Sequence, residues 1–172
     1  MPDLIPVLKK DEIDKLVSEV AQKISSDYQD RELVLIAVLK GAFMFLSDLA
    51  RRLTIPAQID FLRVASYGVN SSSSGKIQFT KEIEVNIRDK DVLIIEDIID
   101  TGLSMRFILD HLKSLEPKTL KVCVLIDKYE RREADITIDY GCHTVEKGFL
   151  VGYGLDYAEK YRNLPEVYQL NL

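Results

Sequence analysis

The stretch VLIIEDIIDTGLS, Val92–Ser104, decides the fold of this 172-residue chain. It opens with four apolar residues, a pattern typical of a short strand that is buried on both faces. From about Thr101 the residues fit a helix, with apolar side chains at Met105, Ile108 and Leu112. The stretch therefore predicts a buried strand that leads directly into a helix.

Three carboxylates stand at the junction between this strand and this helix. Glu96 and Asp97 follow the apolar run at once, and Asp100 comes just before Thr101 and Gly102. Ligands of open α/β sheets bind at the carboxyl ends of strands, and a helix start offers free N–H groups to a phosphate. A helix cap would explain Asp100, but not two acids beside a buried strand, where unpaired charge is costly. We therefore predict a site where the helix start holds a phosphate, and where Glu96 and Asp97 hold sugar hydroxyls or Mg²⁺.

Further apolar segments predict that this strand belongs to a mainly parallel sheet. An amphipathic helix is expected from Asp11 to about Ser26, and the helix after the central strand should end near Pro117. Other strands are predicted at Leu33–Leu39, Gln58–Tyr67, Ile77–Val85, Leu120–Ile126, Ile136–Tyr140 and Phe149–Val151. Because strands alternate with helices, we expect an α/β fold with helices on both faces of the sheet.

The composition is that of an ordinary globular domain, with 47% apolar and 30% charged residues. A net charge of −5 disfavours broad binding to nucleic acid or to anionic membranes. The apolar runs are too short to cross a bilayer, and the first residues do not resemble a secretory signal. Cys123 and Cys142 lack metal-binding spacing, which favours reduced thiols. These features predict one domain over residues 1–172, in a cytoplasmic protein without nucleic-acid or membrane partners.

The motif EDIIDTGLS, Glu96–Ser104, resembles the phosphoribosyl-pyrophosphate-binding motif of the type I phosphoribosyltransferases, and EDIIDTG resembles that of their hypoxanthine-guanine branch. The resemblance extends from about Leu33 to Asn171. It implies a core of about residues 33–146, a small hood of about residues 147–172 with N-terminal residues, and a flexible loop. It also implies a homodimer or homotetramer that uses Mg²⁺.

On this resemblance, the central motif binds the ribose 5-phosphate and carries the catalytic base. The 5-phosphate would be held at Thr101, Gly102, Leu103 and Ser104. Glu96 and Asp97 would hold the ribose hydroxyls or the metal bound to them. Asp100 would be the general base for the N7 proton of a purine. The motif is thus expected to bind one substrate and to act on the other.

Two segments match family positions that contact pyrophosphate. Leu39-Lys40-Gly41 matches a pyrophosphate-binding turn, although a lysine and a glycine after a strand would otherwise indicate only a tight turn. The match implies a cis peptide bond between Leu39 and Lys40. Near the C-terminus, Arg162 matches an arginine that contacts the same group. Lys40 and Arg162 are therefore predicted to neutralise pyrophosphate.

The polar stretch GVNSSSSGK, Gly68–Lys76, cannot bury apolar area and would by itself indicate a surface loop. Ser66 and Tyr67 at its base match the Ser-Tyr pair of the family's flexible loop, which contacts phosphoribosyl pyrophosphate. The resemblance therefore predicts a lid that becomes ordered when substrates bind.

The last part of the chain matches the purine-binding hood of the family. Lys128 matches a lysine that recognises the 6-oxo group, and Phe149 matches a stacking aromatic. The carbonyl of Leu150 would accept from a guanine amino group, and Asp156 matches a metal-binding aspartate. One position departs from the pattern, because Gly148 stands where the family usually carries a lysine. We therefore expect a purine site whose entry loop has its own geometry.

The resemblance implies that hypoxanthine or guanine reacts with phosphoribosyl pyrophosphate to give IMP or GMP and pyrophosphate. The order of preference among hypoxanthine, guanine and xanthine stays open. A xanthine- or pyrimidine-specific enzyme of the same fold is one alternative, against which Lys128 and the segment Val151–Tyr157 argue. A second is an RNA-binding attenuator, which the net charge of −5 disfavours. A third is a ligand-binding module without activity, which the presence of Asp100 disfavours.

Overall fold

Six strands form the central sheet, and helices cover both of its faces. The computed structural model describes residues 2–67 and 76–171. In chain order the elements are β1 (Asp3–Leu8), α1 (Lys10–Asp27), β2 (Leu33–Val38), α2 (Phe43–Arg52), β3 (Ala57–Tyr67), β4 (Lys76–Lys81), β5 (Asp91–Ile99), α3 (Leu103–Ser114), β6 (Thr119–Lys128), β7 (Tyr140–Val145), β8 (Leu150–Val151) and β9 (Val167–Asn171). None of these helices is long and apolar enough to cross a membrane.

The strands of the central sheet lie in the order β4-β3-β2-β5-β6-β7. Strands β3, β2, β5, β6 and β7 run parallel, whereas β4 is antiparallel to β3. The central strand β5 lies between β2 and β6, and its residues Val92–Ile95 are completely buried. The apolar run is therefore covered on both faces, and the prediction of a mainly parallel α/β fold is confirmed.

Alternate residues of the buried strands belong to opposite layers of the core. Leu35 in β2 and Leu93 in β5 pack into the cluster that contains α1 and α2. Ile36 and Ile94, their neighbours in sequence, pack into the cluster that contains α3. Because side chains alternate along a strand, each strand supports both layers. The carboxyl ends of the parallel strands remain together at one edge of the sheet, where the carboxylates lie.

Both ends of the described chain meet in a second, smaller sheet with the order β1-β9-β8. The middle strand β9 is antiparallel to both neighbours, and Asp3 pairs with Asn171. The segment between β8 and β9 touches the turn after β2, because a Cβ on Gly154 would overlap the carbonyl group of Gly41. The small sheet therefore holds the C-terminal segment against the edge of the central sheet.

The predicted strand at Ile136–Tyr140 is wrong, because β7 begins only at Tyr140. Ile136 packs into the core beneath α3 instead. Asp139 Oδ2 accepts a hydrogen bond from the Val122 N–H over 2.9 Å. These tertiary contacts hold the segment 136–139 beside the sheet in an irregular conformation, although its residues alternate as a strand would.

A buried carboxylate fixes the segment that follows β4. Asp60 in β3 is 7% exposed. Its oxygens accept from the N–H groups of Phe61, Glu84 and Val85 at 2.7, 2.6 and 2.9 Å. Burial alone would raise the pKa of Asp60, but these N–H groups hold it below its ordinary value of 3.8. These hydrogen bonds to Asp60 also end the backbone pairing between β3 and β4, so β4 is shorter than the predicted strand.

Asp60→Ala should lower the free energy of unfolding by about 3 kcal/mol, because buried N–H groups lose their acceptor. Since the folded state lowers the pKa of Asp60, its contribution is complete at neutral pH and is lost as pH falls through that lowered value. Urea unfolding followed from about pH 7 to about pH 2 measures both effects. Asp110→Ala, at an exposed position of α3, is the control and should change stability by less than about 0.5 kcal/mol. Equal losses in the two variants would contradict the prediction.

Candidate active site

Two adjacent carboxylates lie near the carboxyl end of β5. Asp97 is 8% exposed, and Glu96 is partly buried. Burial raises the pKa of Glu96 well above its ordinary value, and the neighbouring Asp97 adds to the shift. Burial also raises the pKa of Asp97. Two acids with little water around them are stabilised by a cation or by hydroxyl donors, so the pair suits a sugar or a hard metal ion.

The donor set of this pair fits Mg²⁺. This ion usually binds through one or two carboxylates together with substrate phosphates, so Glu96 and Asp97 suffice on the protein side. Asp156 does not join them, since no three metal-binding side chains are clustered within residues 2–67 and 76–171. Its Oδ1 lies 3.2 Å from Arg162 Nη2 instead. Metal binding by Asp156 therefore stays a prediction.

A cavity of about 230 Å³ lies between the end of β5 and the start of α3. It is lined by the predicted phosphate-binding residues Thr101, Gly102 and Ser104, and by Val38 and Val64 from β2 and β3. Gly102 precedes α3 with a φ of 83°, a left-handed conformation that favours glycine. The N–H groups of the first helical turn have no partners within the helix. The cavity therefore has the donors that a phosphate needs.

The segment after β6 supports this helix start from behind. The carbonyl oxygen of Thr101 accepts from the N–H groups of Glu133 and Ala134 at 2.9 and 3.0 Å. A Cβ on Gly102 would lie 3.1 Å from the carbonyl oxygen of Ala134. The turn that is predicted to bind phosphate is thus fixed by close backbone packing that a larger residue would disturb. Leu103 begins α3, and its N–H donates to Thr101 Oγ1 over 3.3 Å.

Asp100 lies beside two basic side chains at the edge of the same cavity. Its Oδ2 is 3.4 Å from Lys128 Nζ and 3.5 Å from Arg131 Nη1. Lys128 is itself buried. The other oxygen, Oδ1, is buried and has no hydrogen-bond partner among the described residues. One oxygen of Asp100 therefore lies beside two cations, and the other is enclosed by the protein without a hydrogen bond from the described residues.

Arg132, which the sequence analysis did not single out, joins the ends of β5 and β6. Its guanidinium donates to the carbonyl groups of Ile99, Asp100 and Lys128 at 3.1, 2.9 and 3.0 Å, and it pairs with Asp127. The sequence offers a weak signal for this role, namely a pair of arginines shortly after the strand end. Arg132 therefore fixes the spacing between the candidate base and the candidate purine-binding lysine.

The turn after β2 packs against the carboxylate pair. The peptide bond between Leu39 and Lys40 is cis, which confirms the prediction. A Cβ on Gly41 would lie 2.7 Å from Asp97 Cγ, well inside van der Waals contact. The turn can therefore approach Asp97 because residue 41 has no side chain.

Lys40 and Arg162, the predicted pyrophosphate cations, share a carboxylate that the sequence analysis missed. Lys40 Nζ lies 2.8 Å from Glu159 Oε2, and Arg162 Nη2 lies 3.2 Å from Glu159 Oε1. The hydrogen bond from Lys40 holds the pKa of Glu159 below its ordinary value, and Arg162 adds to this effect. The structure thus brings together two cations that are far apart in the sequence.

Phe149 and Tyr157 form an exposed aromatic surface in the C-terminal segment. Their rings meet edge to face, with centroids 5.6 Å apart, and Phe149 is 46% exposed. Leu150 is buried in β8. Gly148, the departure from the family pattern, has a φ of 112°, and a Cβ there would lie 2.8 Å from Gln169 Oε1. Glycine therefore suits a left-handed turn that packs on β9.

The strand pair β3 and β4 carries the base of the predicted lid. Ser66 pairs with Ile77, and Tyr67 pairs with Lys76 and is exposed. The predicted lid itself falls largely on Gly68–Gly75, which lies outside the described residues. Its behaviour therefore stays a prediction.

The fold and the site together define a class of protein. A mainly parallel sheet carries a carboxylate pair, a general-base candidate and a candidate phosphate-binding turn at the carboxyl edge of its strands. Such an arrangement is typical of proteins that bind phosphorylated ligands.

Comparison with known proteins places the chain within this class. Residues 7–158 match the family model of the phosphoribosyl transferase domain. The chain is 46% identical over 165 residues to the hypoxanthine-guanine phosphoribosyltransferase of Aquifex aeolicus, covering 95% of this chain and 93% of the relative. It is 40% identical over 158 residues to the hypoxanthine phosphoribosyltransferase of Salmonella typhimurium, covering 91% and 89%. A crystal structure of a hypoxanthine-guanine phosphoribosyltransferase from Bacillus anthracis matches with a TM-score of 0.92 and 40% identity, covering 99% of this chain and 100% of that one.

The chain belongs to the phosphoribosyltransferase family, and within it to the hypoxanthine-guanine phosphoribosyltransferases. The predictions of the family and of a pentosyl-transferring enzyme are confirmed. These relatives do not favour the alternative of an RNA-binding attenuator.

Proposed function

We propose that this protein transfers the phosphoribosyl group of phosphoribosyl pyrophosphate to a 6-oxopurine, hypoxanthine or guanine, in the presence of Mg²⁺. The N9–C1 bond forms, the bond from C1 to pyrophosphate breaks, and the N7 proton leaves the purine. The products are IMP or GMP and pyrophosphate. The observation that carries this proposal is the position of Asp100, between a buried lysine and the cavity at the start of α3.

Asp100 is the general base in this reaction. Its side chain lines the cavity at the start of α3 and is 31% exposed, while Lys128 and Arg131 lie beside Oδ2. Proton removal at N7 increases electron density in the ring as N9 forms its new bond. In this proposal, the contact with Asp100 determines where the N7 edge of the purine lies.

The purine is held by groups from β6 and from the C-terminal segment. Lys128 donates to the 6-oxo group. Its Nζ lies 3.4 Å from Asp100 Oδ2, and this short distance supports the proposal that both side chains contact one edge of the purine. Phe149 stacks on the ring, and exposed aromatic area of this kind is typical of a stacking surface. The carbonyl of Leu150 accepts from the 2-amino group of guanine.

Phosphoribosyl pyrophosphate occupies the edge formed by β2, β3 and β5. The start of α3 holds its 5-phosphate, and Glu96 and Asp97 hold the ribose hydroxyls. Lys40 and Arg162 neutralise the pyrophosphate, and Ser66 and Tyr67 contact it from β3. Because negative charge grows on this leaving group, these cations stabilise the transition state more than the ground state.

Mg²⁺, when it is bound, neutralises charge on the leaving pyrophosphate. Glu96 and Asp97 would hold it together with substrate oxygens, and Asp156 is a further candidate ligand. Removal of Mg²⁺ with a chelator should therefore abolish turnover, and added Mg²⁺ should restore it.

The assay for this function measures pyrophosphate release and nucleotide formation from phosphoribosyl pyrophosphate with each of hypoxanthine, guanine and xanthine. We expect turnover with hypoxanthine or guanine. The absence of nucleotide formation with all three bases would contradict the proposal. Turnover with xanthine alone would replace it with the xanthine-specific alternative.

We further propose that the protein acts in the cytoplasm as a homodimer or homotetramer. Two thiols without a disulfide, Cys123 and Cys142, are consistent with a reducing compartment. Sedimentation of the purified protein measures the oligomeric state. A monomer at assay concentration would contradict the proposed homodimer or homotetramer.

Arg132→Ala should reduce both stability and activity. We expect a loss of about 3 kcal/mol in the free energy of unfolding, because Asp127 keeps a partly buried charge without its partner. We also expect a lower kcat/KM for the purine, since Asp100 and Lys128 lose a shared anchor. Urea unfolding and steady-state kinetics measure the two effects.

The matched control is Arg88→Ala, which removes an exposed ion pair with Glu116. Exposed pairs contribute at most about 1 kcal/mol, and neither residue of this pair lines the cavity. If Arg132→Ala behaved like the control, the assignment of Arg132 as the residue that spaces β5 and β6 would be wrong.

A further inference from the structure

The two carboxylate oxygens of Glu159 contact the two proposed pyrophosphate cations, with one oxygen at each cation. The distances are 2.8 Å to Lys40 Nζ and 3.2 Å to Arg162 Nη2. Lys40 comes from the turn after β2 and Arg162 from the C-terminal segment, so the carboxylate joins two separate parts of the molecule. An anion that bridges these cations makes the same contacts that oxygens of pyrophosphate would make.

Arg162 does not depend on Glu159 for its position. Its Nη1 donates to the carbonyl oxygen of Gly154 over 2.8 Å, and its Nη2 lies 3.2 Å from Asp156 Oδ1. Its Nε is buried and has no hydrogen-bond partner among the described residues. The guanidinium is therefore anchored by groups other than Glu159.

The backbone holds Glu159 in a conformation that non-glycine residues rarely adopt. Its φ is 63°, and Ala158 and Tyr161 also have positive φ values, of 50° and 78°. Asp156 Oδ2 accepts from the Glu159 N–H over 2.9 Å and supports this turn. The side chain of Glu159 remains 62% exposed. Because exposed ion pairs are weak, a multiply charged anion can displace this carboxylate from the cations.

We propose that Glu159 is an internal substitute for pyrophosphate, which occupies Lys40 and Arg162 when no pyrophosphate group is bound and is displaced when one binds. The inference rests on the proposed function, because that function assigns both cations to pyrophosphate. Competition by Glu159 lowers the affinity of the site for pyrophosphate and therefore speeds release of this product. Glu159 is thus a residue that sets the strength of product binding.

The test is the affinity of the Glu159→Gln variant for inorganic pyrophosphate with Mg²⁺, measured by titration calorimetry. Glutamine keeps the size of the side chain but removes the competing charge, so Kd should fall by about 3- to 10-fold. The inhibition constant of pyrophosphate as a product inhibitor should fall by a similar factor. Glu32→Gln is the matched control, because Glu32 is exposed just before β2, at the opposite end of that strand from Lys40. It removes the same charge and should leave Kd within about twofold.

An unchanged or higher Kd for Glu159→Gln would overturn the inference, and a higher value would make Glu159 a positioning residue for the two cations. An equal tightening in both variants would also overturn it, because net charge would then explain the effect. If the unaltered protein forms nucleotide and binds pyrophosphate, such results contradict this inference alone. If it neither forms nucleotide nor binds pyrophosphate, both the inference and the proposed function are wrong.

Discussion

Asp100→Asn should lower kcat by about 10²- to 10⁴-fold, the usual contribution of a general base. Asparagine keeps the shape of the side chain but cannot take the N7 proton of the purine. The Asp100 side chain lines the cavity and is 31% exposed, so its carboxylate is a proton acceptor that a ligand in the cavity can reach. Steady-state rates with hypoxanthine and with guanine measure the effect.

The effect should fall on kcat and much less on the KM for phosphoribosyl pyrophosphate, because that substrate is held by other groups. Asp110→Asn, at an exposed position of α3, should have nearly normal kinetics. Circular dichroism must show that both variants are folded. If folded Asp100→Asn had a turnover within about threefold of the unaltered protein, the assignment of Asp100 as the general base would be wrong.

Gly41→Val should weaken the binding of phosphoribosyl pyrophosphate by about 100-fold and weaken purine binding much less. The first carbon of the new side chain would lie 2.7 Å from Asp97 Cγ, so the turn after β2 and the carboxylate must move apart. Both contact the same substrate in the proposed function, whereas Lys128 and Phe149 do not depend on this contact. Calorimetric titration with each substrate gives the two affinities.

Gly141→Val in β7 is the matched control. A Cβ at Gly141 would meet Ile138 Cγ2 at 3.4 Å, which is an ordinary contact. The control should bind both substrates within about threefold of the unaltered protein. Equal weakening of both substrates in Gly41→Val would indicate general damage to the fold and would contradict a specific role for the turn.

The junction between β5 and α3 could be predicted from the sequence because its determinants are adjacent in the chain. The apolar run requires burial, and Gly102 permits the left-handed turn that starts α3. The acids between the apolar run and Gly102, which are Glu96, Asp97 and Asp100, can then only lie at the edge of the sheet. The same reasoning predicted α1 and α3 correctly to within a few residues, since apolar periodicity is local information.

Arg132 and Glu159 could not be predicted in this way, because their partners are distant in sequence. Arg132 binds the carbonyl of Asp100, 32 positions away, and Glu159 binds Lys40, 119 positions away. In the sequence both are charged residues among other charged residues, a pattern typical of a solvated surface. The wrong prediction of a strand at Ile136–Tyr140 has the opposite cause. Apolar and polar residues alternate there as in a strand, but contacts with α3 and β6 override this local pattern.

The pairing of β1 with β9 has a consequence for how the protein is made. β1 precedes β9 in the chain by most of the described residues, so the ribosome synthesises β1 long before its partner strand. An unpaired strand can recruit other nascent chains through its free N–H and C=O groups. Pro6 lies within β1 and lacks an N–H, and the register of the strand shifts between Pro6 and Leu8. The proline and the irregular register make β1 a poor template for other chains while it waits for β9.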